Sequence, residues 1–284
     1  MKRGGAKRKI RRTVTKRNFD RNKRVQNELK ALKKIDISNE GKSELPEEIN
    51  MLTSLEEIVL NGNKFTDVPI QLRLGNFNIK SLSMDNNIIS KLSNTVSSLN
   101  NLTYLSIGNN MISSLPNSFS NLVKLEYLNL EKNKISSLPK GFSNLVKLKC
   151  LYLGGNNLEE LDQSLYKLSE LKSINLGNNN FSIFPKVLLL MSSLEVFDLC
   201  NNSLTEIHPG IKLRTSLQEI YISDNQISDI PDITPLTNLR KLDISNNSLD
   251  EYPLVLNHVN VDVSLNGNPY IEEYNDLIAM IRGK

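Results

Sequence analysis

Two histidines, His208 and His258, and two cysteines, Cys150 and Cys200, are the side chains best suited to acid–base, nucleophilic or metal chemistry here. A nucleophile needs a base within hydrogen-bond reach, and a metal needs several ligands converging on one point. Neither arrangement is predicted. The histidines fall fifty residues apart in segments where the chain turns. The cysteines occupy different strand positions two periods apart, too distant for a disulfide or a shared metal. They read as small strand fillers, with Cys150 directed outward. Gly154-Gly155 precedes an asparagine of a periodic pattern and is no phosphate-cradling loop, and Asp162 stands where other periods carry proline. No catalytic residue, cofactor, metal or small-molecule substrate is therefore expected. The chain is read as not an enzyme.

The pattern that displaces chemistry is a repeat. Asn63, Asn87, Asn110, Asn133, Asn156, Asn179, Asn202, Asn225, Asn247 and Asn268 recur at intervals of 24, then 23 six times over, then 22 and 21. Most stand in the frame L-x-x-L-x-L-x-x-N-x-L-x-x-L-P, as in Leu125, Leu128, Leu130, Asn133, Ile135, Leu138 and Pro139. The alternation at Leu128 and Leu130 predicts a short strand with one face inward. The asparagine amide both donates and accepts, so it suits backbone groups where one coil passes to the next. Pro139 fixes φ as the chain leaves the strand. Phe119 and Leu122, repeated as Phe142 and Leu145, return apolar groups from the outer side. One unit cannot bury its apolar face alone, but a stack can, around one elongated core. At ~4.8 Å per strand, about ten strands span roughly 45–50 Å.

This frame resembles the leucine-rich repeat family over residues 32–269. The resemblance implies an α/β fold: a right-handed solenoid, or horseshoe, with a parallel concave β-sheet. About ten repeats of 21–24 residues are expected between N- and C-terminal helical caps. Six units end in a Leu-Pro-like pair (Val68-Pro69, Leu115-Pro116, Leu138-Pro139, Phe184-Pro185, Ile230-Pro231, Tyr252-Pro253), resembling intracellular Ras-suppressor-like and Ras-scaffold proteins. The shorter unit Asn225–Leu242 resembles the repeats of the leucine-rich regulatory subunit of type-1 serine/threonine phosphatase. These likenesses imply a scaffold or regulatory subunit, with a serine/threonine phosphatase or small GTPase as the partner class.

Four segments are expected. Residues 1–17 form a basic arm without fixed structure. Residues 18–34 form a capping helix, from the spacing of Val25, Leu29 and Leu32. Residues 35–269 form the solenoid. Residues 270–284 form a closing helix, with Ile271, Tyr274, Ile278 and Ile281 on one face.

Because strand side chains alternate, the residues between the leucines face the concave side. Four of the eight tyrosines fall there: Tyr104, Tyr127 and Tyr152 on consecutive strands, and Tyr221 further along. Asn129, Glu131, Asn175 and Asp198 share the face. Tyrosine combines a large apolar area with few rotamers and a polar tip, and the acids would select a partner bearing Lys or Arg. These eight residues are the candidate protein-binding site.

The net charge of +4 over 284 residues hides an asymmetry. Residues 1–34 carry 15 Lys/Arg against two acids, a balance of +13, and the remainder balances at −9. Lys7, Arg8, Lys9, Arg11 and Arg12 resemble a nuclear localisation signal, and they also suit nucleic acid or an anionic membrane. Phe19 is the one aromatic in residues 1–34, so base stacking is not indicated. The start, MKRGGAKRKIRR, has no apolar stretch after its basic region, and two cysteines make no disulfide framework. An intracellular protein of the cytoplasm or nucleus is expected. The sequons at Asn101, Asn180, Asn201 and Asn246 are then by-products of an asparagine-rich repeat.

Overall fold

Each period contributes one three-residue strand, and the strands stack in chain order. The computed structural model describes residue 25 and residues 27–74 and 78–270. The basic arm with Lys7, Arg8, Lys9, Arg11 and Arg12, residues 18–24 of the expected N-terminal cap, and residues 271–284 of the expected closing helix lie outside the described residues. The strands are β1 (Lys34–Asp36), β2 (Glu57–Val59), β3 (Ser81–Ser83), β4 (Tyr104–Ser106), β5 (Tyr127–Asn129), β6 (Cys150–Tyr152), β7 (Ser173–Asn175), β8 (Val196–Asp198), β9 (Glu219–Tyr221), β10 (Lys241–Asp243) and β11 (Asp262–Ser264). They form one eleven-stranded parallel sheet in which every neighbour in space is the neighbour in sequence. The degenerate first unit supplies the strand beyond ten: its Glu40 replaces the ladder asparagine, yet Lys34–Asp36 still pairs in register with Glu57–Val59.

The register is constant, so equivalent residues form columns across the sheet. Leu105, Leu128 and Leu151 face each other directly and are fully buried. The second leucine of each unit (Leu130, Leu153, Leu176) adds a parallel column, also fully buried. The outer side closes with short 3-10 helices, among them Asn94–Ser98, Asn117–Asn121, Gln163–Lys167 and Lys186–Leu190. A 23-residue period leaves room for about one such turn, and its middle residue (Val96, Phe119, Leu165) points into the core. Phe119 and Phe142 stack there with ring centres 6.2 Å apart. The short unit Asn225–Leu242 crosses the outer side in turns.

The residue entering most of the outer helices has extended backbone, as in Pro116 at φ −69° and ψ 151° and Asp162 at φ −61° and ψ 134°, whereas Gly141 enters the Phe142–Asn144 helix in the left-handed region at φ 80°. Proline presets the extended angle. Asp162 reaches it by a different route, its carboxylate accepting the Ser164 N–H at 2.8 Å. At the N-terminal end residues 27–31 are helical, and Leu29 packs against the core while Val25 and Leu32 are exposed.

The asparagine column runs through the turn after every strand. The Asn133 Nδ2 donates to the carbonyls of Leu130 and Glu131 in its own coil and of Ile107 in the preceding one. Its Oδ1 accepts the Ile112 N–H, 2.9 Å away. Asn63, Asn87, Asn110, Asn156, Asn179, Asn202, Asn225, Asn247 and Asn268 repeat this bridging between coils. Nearly all are buried, which a bare amide would not tolerate. The residue just before each is left-handed: Asn86 at φ 57°, Asn109 at 50°, Lys132 at 51°, Gly155 at 68°.

Candidate protein-binding face

On the concave side the register places Tyr104 opposite Tyr127, and Asn129 opposite Tyr152. Tyr104 and Tyr127 stack with centroids 4.4 Å apart and an 8° tilt. Tyr152, one column over on β6, meets Tyr127 at 5.3 Å and 44°. The three rings form one half-buried platform across β4–β6. Burial is the main cause raising the Tyr127 and Tyr152 hydroxyls above the usual phenol range. Tyr221 stands apart on β9. Its hydroxyl donates to Glu219 Oε2 at 2.8 Å, which, with partial burial, pushes its pKa up to about 12. The Lys241 ammonium sits over its ring, 5.0 Å from the centroid.

Beside the platform runs a polar track. Each strand exit turns one backbone N–H toward the concave side, and a side chain usually meets it. Asn129 Oδ1 accepts the Glu131 N–H, Asn175 Oδ1 that of Gly177, and Asp198 Oδ1 that of Cys200. Where serine replaces Asx, the preceding coil supplies the acceptor: Asp85 Oδ1 takes the Gly108 N–H and also the Ser106 hydroxyl. Thus Asn129, Asn175 and Asp198, singled out as partner contacts, also shape their own turns. An Asx residue two positions before the strand-exit residue is the signal that marks this role. At β6 the position is Tyr152, and the Gly154 N–H has no acceptor among the described residues.

Glu131 departs from the pattern. Its side chain reaches two strands over, where Asn175 Nδ2 donates to its Oε1 at 3.0 Å. Gly154 and Gly177 make this possible, because a Cβ on either would lie 2.8 Å and 3.0 Å from the Asn175 and Asp198 side-chain oxygens. Burial raises the Glu131 carboxyl above its ordinary range; Lys132 opposes the shift and Asp198 and Asp85 reinforce it.

The side chains suited to chemistry are dispersed. Cys150 and Cys200 are free thiols, and burial pushes Cys200 up to about 12. His208 is half-buried and caps an outer helix through the Gly210 N–H, whereas an exposed loop position would leave it free. No group of three His, Cys, Asp or Glu that could hold a metal occurs among the described residues. Nor is any described helix long and apolar enough to cross a membrane.

Models of the leucine-rich repeat match residues 77–135 and 116–158, a two-copy model matches 215–254, and a single-repeat model matches 193–212. Together these stretches make up half of the chain. The chain belongs to the leucine-rich repeat family. No curated protein matches the sequence. Among solved structures, a leucine-rich repeat protein of Leptospira interrogans is similar at 26% identity and a TM-score of 0.63, over 91% of this chain and 84% of that one. The plant peptide hormone receptor RGFR1, in complex with RGF2, is similar at 27% identity and a TM-score of 0.70, over 84% of this chain and 40% of the receptor. The functional domain of InlJ from Listeria monocytogenes, at 24% identity and a TM-score of 0.63, shares the fold over 85% of this chain and 55% of its own. Leucine-rich repeat proteins generally serve protein–protein interaction, and no catalytic family is indicated.

Proposed function

We propose that this leucine-rich repeat protein is a non-enzymatic scaffold or regulatory subunit that binds a partner protein on its concave face. The Tyr104–Tyr127–Tyr152 platform carries the reading: three adjacent rings, half-buried with no covering element among the described residues, present an amphipathic surface of the kind enriched in interface hot spots. The Leu-Pro repeats and the phosphatase-subunit-like unit make a serine/threonine phosphatase or a small GTPase the class to test first. The test is affinity capture from native cells with mass spectrometry, then titration of the captured partner against Tyr127→Ala with Tyr152→Ala. We expect binding to weaken at least ~30-fold, since hot-spot truncations cost about 2 kcal/mol or more. Unchanged affinity in a variant with wild-type circular dichroism overturns the assignment.

A second reading rests on the +13 balance of residues 1–34. The basic arm would recruit the protein to nucleic acid or an anionic membrane, or carry it into the nucleus from the cytoplasm. Binding to RNA or anionic vesicles that falls steeply with salt, and disappears when residues 2–17 are removed, supports it. Unaltered binding and unaltered cellular location after that removal exclude it.

A further inference from the structure

Resting on the concave-face reading, we infer that the segment bound there is an extended stretch of a partner protein bearing lysine or arginine, with one cation over Tyr127 and Tyr152 against the Glu131 carboxylate.

Charge is sorted between the sheet's entrance edge and its concave face. Along the entrance edge of the sheet, acids are neutralised by cations on adjacent coils: Glu56 by Lys33 and Lys80, Glu126 by Lys149, Glu195 by Lys172. On the concave face Asp85, Glu131 and Asp198 have no ion pair among the described residues. From β3 to β9 the face-lining positions of the strands hold no lysine or arginine at all. Lys132 influences Glu131 from the left-handed turn position but is itself exposed to solvent. A face that keeps three carboxylates unpaired beside aromatic rings complements a cationic ligand, both through the carboxylates and through the ring faces.

The same chemistry already operates on β9 and β10, where the Lys241 ammonium sits over Tyr221, whose hydroxyl is bonded to Glu219. At β5–β6 the aromatic and carboxylate parts recur, in Tyr127, Tyr152 and Glu131, without the lysine. Asp85, Glu131 and Asp198 issue from strands two and three apart, or about 10 and 14 Å at ~4.8 Å per strand. That spacing corresponds to every third or fourth residue of an extended chain at ~3.3 Å per residue.

The experiment measures fluorescence anisotropy of the full-length protein with three labelled decapeptides sharing a Gly/Ser background. One carries lysine at every third position, one acetyl-lysine, one glutamate. The lysine peptide is expected to bind at least about tenfold more tightly than the others. Glu131→Gln and Tyr127→Leu, each checked by circular dichroism, should weaken it at least about tenfold, and Glu206→Gln outside the face should leave it unchanged. Equal binding of the acetylated peptide, or indifference to Glu131→Gln, overturns the inference. A natural partner that loses affinity with Tyr127→Ala and Tyr152→Ala but not with Glu131→Gln leaves the concave interface standing and overturns the cation seat alone. Neutralising the arm in the full chain (Lys7→Gln, Arg8→Gln, Lys9→Gln, Arg11→Gln, Arg12→Gln) should leave lysine-peptide affinity unchanged. A gain of tenfold or more assigns the seat to the chain's own arm and overturns its assignment to a partner.

Discussion

Lys132 shows how one residue can serve the stack badly and the surface well. It holds φ 51° in a column otherwise filled by Asn, Gly and Asp, and an L side chain without a short polar group is strained there by about 1–2 kcal/mol. Lys132→Asn is expected to raise stability by about 0.5–1 kcal/mol in urea unfolding; no gain would mean the lysine side chain makes compensating contacts. Glu131 carries the same tension electrostatically. Burial raises its folded-state pKa above the ordinary carboxyl value. The native state therefore holds the proton over a window in which the unfolded chain has lost it, and stability falls as pH rises through that window. Glu131→Gln removes the loss. Its melting temperature should exceed that of the wild type at pH 7, with the difference shrinking at pH 4. A constant difference would locate the effect in packing. A site that binds cations would be expected to carry such a cost in the free protein.

At the scale of the element, the outer helices show two solutions to one backbone requirement. Proline enters four of them by fixing φ near −68°, as at Pro46, Pro116, Pro185 and Pro253. Asp162 enters at φ −61° and caps through Ser164. Asp162→Ala should cost about 1 kcal/mol, the usual worth of such a cap. Asp162→Pro should stay within about 0.5 kcal/mol of the wild type, because the ring supplies the geometry that the side chain otherwise secures. Thermal denaturation of the pair decides this; equal losses would show that the cap bond, not φ, sets the entry. The substitution of Pro by Asp was legible in the sequence. The capping bond was not, because it depends on where the Ser164 N–H points after the turn.

For the whole molecule, stability is a sum over coils and their interfaces, so the ends differ from the middle. β1 and β11 keep their central residues half-exposed, whereas Leu128 and its column neighbours on β4 and β6 are fully buried. Native-state hydrogen exchange should release amides of β1 and β11 first and those of β4–β8 last. Leu128→Ala should cost about 3 kcal/mol and lower protection on both flanking strands. Uniform protection from end to end would replace this gradient with a single cooperative unit. The count of eleven strands belongs to this scale as well: a degenerate first coil still pairs because its neighbour supplies the register.

The sequence by itself determined the period, the buried columns and hence the parallel stack, because a repeat that cannot bury its own apolar face has one way to satisfy it. It also placed Tyr104, Tyr127, Tyr152, Glu131 and Asp198 on one side of the strands, since strand side chains alternate. Only the tertiary structure decided what those residues do to one another. The stacking of Tyr127 between two neighbours, the reach of Glu131 across Gly154 to Asn175, and the use of Asn129 and Asp198 as turn acceptors all join side chains that lie 23 to 44 residues apart or hang on a local turn. Periodicity fixes which face a residue occupies. Rotamer, curvature and the gaps left by glycine fix whom it meets.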